Sequence, residues 1–394
     1  MLTARPCFSR ILKLTLAHIL LCGLAACGPQ DEPSQSAEHK PMAAAESRTA
    51  AGNKTRSEHP AWPLGTEILA DSIVKAGALN TAVGHLLDTP NLDNLKQAQR
   101  LWREAAVAIE RFHLFSRLGT VAPRGFQRLV SFQFNLTAWP IQPGYLDGFG
   151  DYPYSGIVFD VGVPITAQVL REQHGMTDSS DATLGIYAME FLLFGEQNDR
   201  GPLVFQPITV LDEPSIEDGY TSVEELPRNR RRELLRLQAQ LLLEDLTRLH
   251  DAWVSNRPGN LKQSFELLTT NQQAQLLRKA ALALATEQLV VIANQQGADQ
   301  WHSQQLADRL AAQLEGLARF NAVASLGERV ATTTLHGITH LNEIRDLPPP
   351  DQSGLPKVEW HESYASLREL IKALNPSPPS PLTPDESDPL SAPL

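Results

Sequence analysis

The sequence predicts an all-α protein built of two packed helical-bundle-like halves, with a long irregular aromatic loop in the first half. Leu235, Leu242, Leu246, Leu249 and Trp253 recur at the spacing that keeps one apolar stripe along a long helix. Comparable periods run over 66–87, 92–118, 165–173, 182–194, 261–293, 299–326 and 363–374, and few segments alternate as strands do. Gly, Pro and aromatic residues crowd together over 119–164 without a helical period.

Each element follows from local chemistry. Pro227 opens the long helix, because a first-turn residue needs no N–H, and Pro258-Gly259 closes it. The segment 119–164 is expected to be a loop with a short hairpin around 158–163, and a loop of that length in a helical protein is usually functional. The body divides into halves of approximately 64–200 and 226–374, joined by a polar, Pro-containing connection. No sequence repeat relates the halves.

The N-terminus carries Arg5, Arg10 and Lys13, then an apolar run too short to span a bilayer, then Leu24-Ala25-Ala26-Cys27. That order is a signal peptide over 1–26 ending in a bacterial lipobox, in which Cys27 becomes the acylated N-terminus. The expected product is an outer-membrane lipoprotein facing the periplasm, with membrane lipid as the partner of the palmitate-type anchor on Cys27. Residues 27–63 are rich in Pro, Ala, Ser and charge and read as a flexible tether, and 375–394 as a disordered Pro- and Ser-rich tail. About 310 residues remain between them, enough for one large or two modest domains.

Cysteine usage removes several chemistries. The three cysteines are Cys7, Cys22 and Cys27, so the mature body has no thiol for a disulfide, a zinc-thiolate site, an iron–sulfur cluster or a cysteine nucleophile. Any metal must be held by His, Tyr or carboxylate. The formal charge of -11 becomes -14 once Arg5, Arg10 and Lys13 leave with the leader, which argues against nucleic acid as a partner.

The richest chemical signal lies at Leu184-Gly185-Ile186-Tyr187-Ala188-Met189-Glu190, where Tyr187 and Glu190 share one face of an apolar helix. A carboxylate in such surroundings needs a partner. With the Phe191-Leu192-Leu193-Phe194-Gly195 that follows, the segment resembles the imelysin family signature, GxHxxE followed by an aromatic, two leucines, an aromatic and Gly. Ala138-Trp139-Pro140-Ile141 and Gly144-Tyr145-Leu146-Asp147 resemble the family's aromatic loop. Trp102 and its helix resemble the element before that loop, and 235–253 resembles the long helix of the second half. The resemblance spans roughly 66–374. It implies a lipoprotein or periplasmic protein of two helical halves, associated with bacterial iron uptake, with iron as candidate cargo or cofactor near the signature and an envelope iron-uptake protein as candidate partner. The family also carries a peptidase label.

Tyr187 stands where the family has His. Three readings follow: Tyr187 and Glu190 bind ferric iron through hard oxygen donors; Tyr187 gives its hydroxyl proton to Glu190 with no metal; or the pocket serves another ligand. Trp102, Trp139, Tyr145, Asp147 and Gly185 are the candidate pocket residues. Tyr152, Tyr154 and Asp160 are weaker candidates.

A second constellation is His336, His340 and Glu343, at i, i+4 and i+7, with metal-ligand residue types along one stripe. Gly337 and Thr332-Thr333-Thr334 weaken the helix there. It lacks the Glu directly after the first His that marks a zinc protease, and the chain has no GxSxG elbow. Arg228, Arg230, Arg231 and Arg232 form a basic run expected to face solvent. The favoured reading is a non-catalytic envelope lipoprotein that binds iron or takes part in iron uptake through a pocket near Glu190. The alternatives are a partner-binding or scaffold lipoprotein with a degenerate metal site and, less favoured, a metallopeptidase.

Overall fold

The computed structural model describes residues 58–196, 198–294, 300–347 and 358–375. The leader, the lipobox with Cys27, residues 27–57 of the expected 27–63 tether and the tail from 376 lie outside the described residues; the end of that tether is corrected, because 61–63 open a helix in which Ala61 and Trp62 are buried. By backbone contacts, the described residues belong to a single unit.

The described chain is all-α. The first half comprises α1 (Ala61–Asp88), α2 (Leu92–Glu110), α3 (His113–Val121), α4 (Pro123–Thr137), the single turn α5 (Pro143–Leu146), α6 (Ala167–Gln173) and α7 (Ile186–Phe194). A connection carrying α8 (Glu213–Glu217) leads to α9 (Pro227–Val254), α10 (Leu261–Glu266), α11 (Thr270–Ala293), α12 (Gln300–Ala324), α13 (Glu328–Arg345) and α14 (His361–Leu374). Among the described residues there is no strand, only an isolated bridge between Phe149 and Tyr152. No helix among them is long and apolar enough to cross a membrane.

Packing crosses between the halves most extensively where α1 lies on α9, α3 on α11 and α2 on α12. The stripe foreseen on α9 is buried in the first of these, with Leu235, Leu242, Leu246, Leu249 and Trp253 all in the core. Its end is clasped to the start of α1. Trp62 and Trp253 stack with ring centroids 3.8 Å apart, and each indole N–H donates to the other's backbone carbonyl at 3.1 Å. Phe112 and Phe115 meet Trp253 edge-on, which closes an aromatic cluster between the halves.

Several sequence expectations are corrected. Much of 119–164 is helical, because Pro123 occupies the first turn of α4, where proline is tolerated, and Phe126 and Leu129 bury one face. No hairpin forms at 158–163; turns closed by Phe159 N–H to the Gly156 carbonyl and Val163 N–H to the Asp160 carbonyl take its place. The helix expected over 92–118 breaks at Arg111-Phe112. There the Phe112 N–H reaches back only to the Ile109 carbonyl, and Gly316 of α12 approaches so closely that a Cβ would overlap the Arg111 carbonyl. The expected 261–293 helix also divides, since Thr269 and Gln272 form a capping box that starts α11 afresh.

The basic run at the start of α9 does not face solvent as a group. Arg230 is buried and donates to the carbonyls of Ile157, Val158, Asp160 and Val163 at 2.7 to 3.0 Å, and Arg232 donates to those of Leu87 and Phe205. Arg231 grips Asp147 with two bonds of 2.5 and 2.8 Å. A loop without its own ladder must have its carbonyls satisfied by something, and here guanidinium groups from the second half do it.

Candidate functional site

The centre of the molecule holds a buried polar cluster at the α2/α12 seam. Glu110 is the last residue of α2 and is 0% exposed. The break after it begins a new helix at His113, whose Nδ1 sits 3.2 Å from Glu110 Oε2. Tyr187 comes from α7, positioned by two local devices. Gly185 has φ of 91° and lies so close to the Asn135 and Leu136 carbonyls that a Cβ would meet them at 2.9 and 2.8 Å. Trp102 donates its indole N–H to the Ile186 carbonyl at 2.7 Å.

From that position the Tyr187 hydroxyl donates to Glu110 Oε1 at 2.5 Å. Gln313 of α12 donates to Glu110 Oε2 at 2.8 Å, and its own carbonyl oxygen accepts from Gln288 of α11 at 2.9 Å. Arg309, one turn before Gln313, brings Nε within 3.3 Å of Glu110 Oε1. The chain of charge continues outward, with His113 Nε2 3.5 Å from Glu287 and Arg117 paired to Glu287 at 2.7 Å.

Electrostatics decides which groups carry protons. Burial alone raises the Glu110 carboxyl, but Arg309, His113 and the Tyr187 hydroxyl together bring it down to about 2. The Tyr187 phenol is pushed well above its usual 10, first by burial and then by the Glu110 charge. Tyr187 is therefore a neutral donor to an ionised acceptor. Glu190 behaves oppositely: it is half-buried, and the loss of solvation pushes its carboxyl up to about 8, with Arg309 and Arg103 opposing only in part, which favours the protonated form.

The expected proton partner of Tyr187 is thus corrected. Residues three apart share a helix face, yet the phenol points at the end of α2, and a carboxylate 77 residues away in sequence takes its hydrogen bond. The structure brings Tyr187, Glu190, Trp102, Gly185 and Trp139 together around Arg309 and Glu110. Trp102 packs edge-on to Tyr187, and the Arg309 guanidinium lies 4.5 Å from the Trp139 ring and 5.1 Å from the Tyr187 ring. Tyr145 and Asp147 serve the loop instead. The Tyr145 hydroxyl donates to Gln173 at 2.8 Å, and Asp147 is buried in its pair with Arg231. Tyr152, Tyr154 and Asp160 are exposed.

His336, His340 and Glu343 do lie on a continuous helix, α13, despite Gly337. His336 and Glu343 face solvent, and the one contact within the set is His340 Nδ1 to Glu343 at 3.1 Å. Among the described residues no three His, Cys, Asp or Glu side chains gather as a metal site would require.

The donors at Tyr187 and Glu190 do not fit an iron ion. The Tyr187 hydroxyl is already committed to Glu110 Oε1 at 2.5 Å. Both oxygens of Glu110 are already engaged, and the Arg309 guanidinium occupies the cation position beside them. A fixed positive charge there opposes a second one.

Glu110, His113, Arg309 and Gln313 were not read from the sequence. A signal existed: Glu110 follows the apolar run Ala105–Ile109 on the face set by Trp102 and Ala106, and Arg309 and Gln313 share the buried face with Leu306, Leu310 and Leu317. Charged residues at core phase mark a partner elsewhere in the fold.

The family model described as Imelysin, which carries a peptidase label, matches residues 65–377. The chain belongs to the imelysin family. In structure it is similar to a crystal structure provisionally described as an iron-regulated protein A precursor from Parabacteroides distasonis, with a TM-score of 0.50 and 14% identity over 80% of this chain and 92% of that one. That likeness is one of fold. No curated protein matches the chain in sequence. The imelysin match covers both halves and includes α7, so the Tyr187–Glu110 pair sits within the family's region rather than in an appendage.

Proposed function

We propose that this imelysin is a non-catalytic envelope lipoprotein associated with iron uptake, anchored to the outer membrane through acylated Cys27 and facing the periplasm. Family membership and a structural neighbour described as iron-regulated support the iron association. The lipobox Leu24-Ala25-Ala26-Cys27 supports the anchor.

The observation that carries the non-catalytic reading is the saturation of Glu110. A general base needs a free lone pair aimed at a reacting proton, but Tyr187, His113, Gln313 and Arg309 surround both carboxylate oxygens. The same observation favours partner binding over chelation as the mode of action. Tyr187 at the signature fastens α7 to α2, and the carboxylate it meets is held from α12 in the other half.

The experiment uses the full chain in its native bacterium. Deletion should slow growth under iron chelation and leave growth in iron-replete medium unchanged, and Cys27→Ser should move the protein out of the membrane fraction and abolish acyl labelling. Equal growth of deletion and parent under chelation would remove the iron association. Ferric and ferrous titration of the detergent-purified chain should give no stoichiometric uptake; one equivalent bound, and lost in Tyr187→Phe, would restore chelation. Peptide hydrolysis abolished in Glu110→Gln would restore the peptidase.

A further inference from the structure

Arg309 is not fully accounted for by the cluster around Glu110. Its side chain belongs to a residue only 8% exposed, yet Nε and Nη1 are buried without a hydrogen-bond acceptor. Glu110 Oε1, 3.3 Å from Nε, already accepts from Tyr187 and does not lie where it would accept from the guanidinium. Buried N–H groups in native proteins are almost always paired, and a guanidinium has five to satisfy.

What Arg309 does touch is aromatic. The rings of Trp139 and Tyr187 lie 4.5 and 5.1 Å from its central carbon. Ring contacts engage the charge of the guanidinium but accept none of its in-plane N–H bonds. Trp139 is 38% exposed, so a ring in contact with this cation also meets solvent.

We propose that Arg309 and Trp139 form a binding site for a small organic carboxylate. The ligand's carboxylate accepts from the unpartnered Arg309 nitrogens, and its apolar body lies on the Trp139 ring. A single negative charge suits the position, because ionised Glu110 already stands beside the same guanidinium and a doubly charged phosphate would meet it at close range. The site stands apart from the iron-uptake reading, since it asks nothing of a metal.

The test is calorimetric and fluorescence titration of the detergent-purified full chain with benzoate, acetate and inorganic phosphate at neutral pH. Benzoate should bind saturably and quench tryptophan emission, acetate should bind more weakly, and phosphate should not bind. Arg309→Lys keeps a cation beside Glu110 but loses the planar donor set, and should weaken benzoate binding by about tenfold or more. Trp139→Ala, at a partly exposed position, should weaken it comparably with an unchanged melting temperature, and it decides the matter if the lysine variant does not fold. Absence of saturable benzoate binding, binding unchanged in the variants, or phosphate binding as tight as benzoate would each overturn the proposal. Growth under iron chelation reads the iron-uptake role separately, so the two failures are distinguishable.

Discussion

The Glu110 cluster and the His336–His340–Glu343 stripe contain the same kinds of side chain in opposite circumstances. The stripe is one helix reading its own period, and two of its three residues end in water. The cluster draws Glu110 and His113 from the α2/α3 junction, Tyr187 from α7, and Arg309 and Gln313 from α12. Local spacing brings side chains to one helix face, but only packing removes them from water, and burial is what shifts a proton affinity. The first set is therefore expected to matter greatly to the molecule and the second hardly at all.

Four measurements sharpen this contrast. Glu110→Ala leaves the buried Arg309 charge without its anion, and chemical denaturation should show a loss of about 3 to 5 kcal/mol. A loss below about 1 kcal/mol would mean that the cluster is solvated in solution.

Glu190 supplies a pH signature. Its carboxyl is raised to about 8 in the folded protein, above an ordinary value near 4.5, so folding favours the protonated form. Its ionisation costs stability progressively as pH rises from about 4.5 to about 8, and the full penalty is present above that. Glu190→Gln should accordingly stabilise the protein by about 2 to 4 kcal/mol at pH 9 and change little at pH 4. An equal effect at both pH values would contradict the burial of this carboxyl. Glu110 works in the reverse sense: held at about 2, it contributes stability above about pH 4.5 that is lost as pH falls through 2.

Tyr187→Phe removes one hydrogen bond to a charged acceptor while keeping the ring, and should lower stability by about 1.5 to 3 kcal/mol. Pairing it with Glu110→Gln in a double-mutant cycle should give a strongly non-additive result, whereas pairing it with Glu190→Gln should be closer to additive. The smallest effect belongs to the stripe. His336→Ala and His340→Ala should each change stability within about 0.5 kcal/mol, with no change in metal content as isolated.

Legibility differed along the chain for physical reasons. The α9 stripe was readable because burial on one face of a long helix writes a period into the sequence, and α4 was missed because Pro123 reads as a breaker until its place in the first turn is known. The break at Arg111-Phe112 had no local cause to read, since it is associated with the approach of Gly316 from α12. Arg230, Arg231 and Arg232 looked like a solvated basic face because charge near a helix start is usually exposed, and the carbonyls that bury them belong largely to a loop some 70 residues earlier. The importance of Tyr187 was visible from its position in the signature, but its partner was not.

By itself the sequence determined the all-α class, most helix spans, the lack of any thiol in the described body and the imelysin signature with Tyr187 in the histidine position. These are short-range properties, set by periodicity, capping and motif spacing within a few turns of chain. The tertiary structure alone decided that Tyr187 donates to Glu110, that the Glu190 carboxyl is pushed up, that Arg309 lies beside Glu110, and that the arginines of α9 hold the aromatic loop. Those outcomes depend on which distant side chains share a volume closed to water, where charges interact strongly enough to fix one another's protonation.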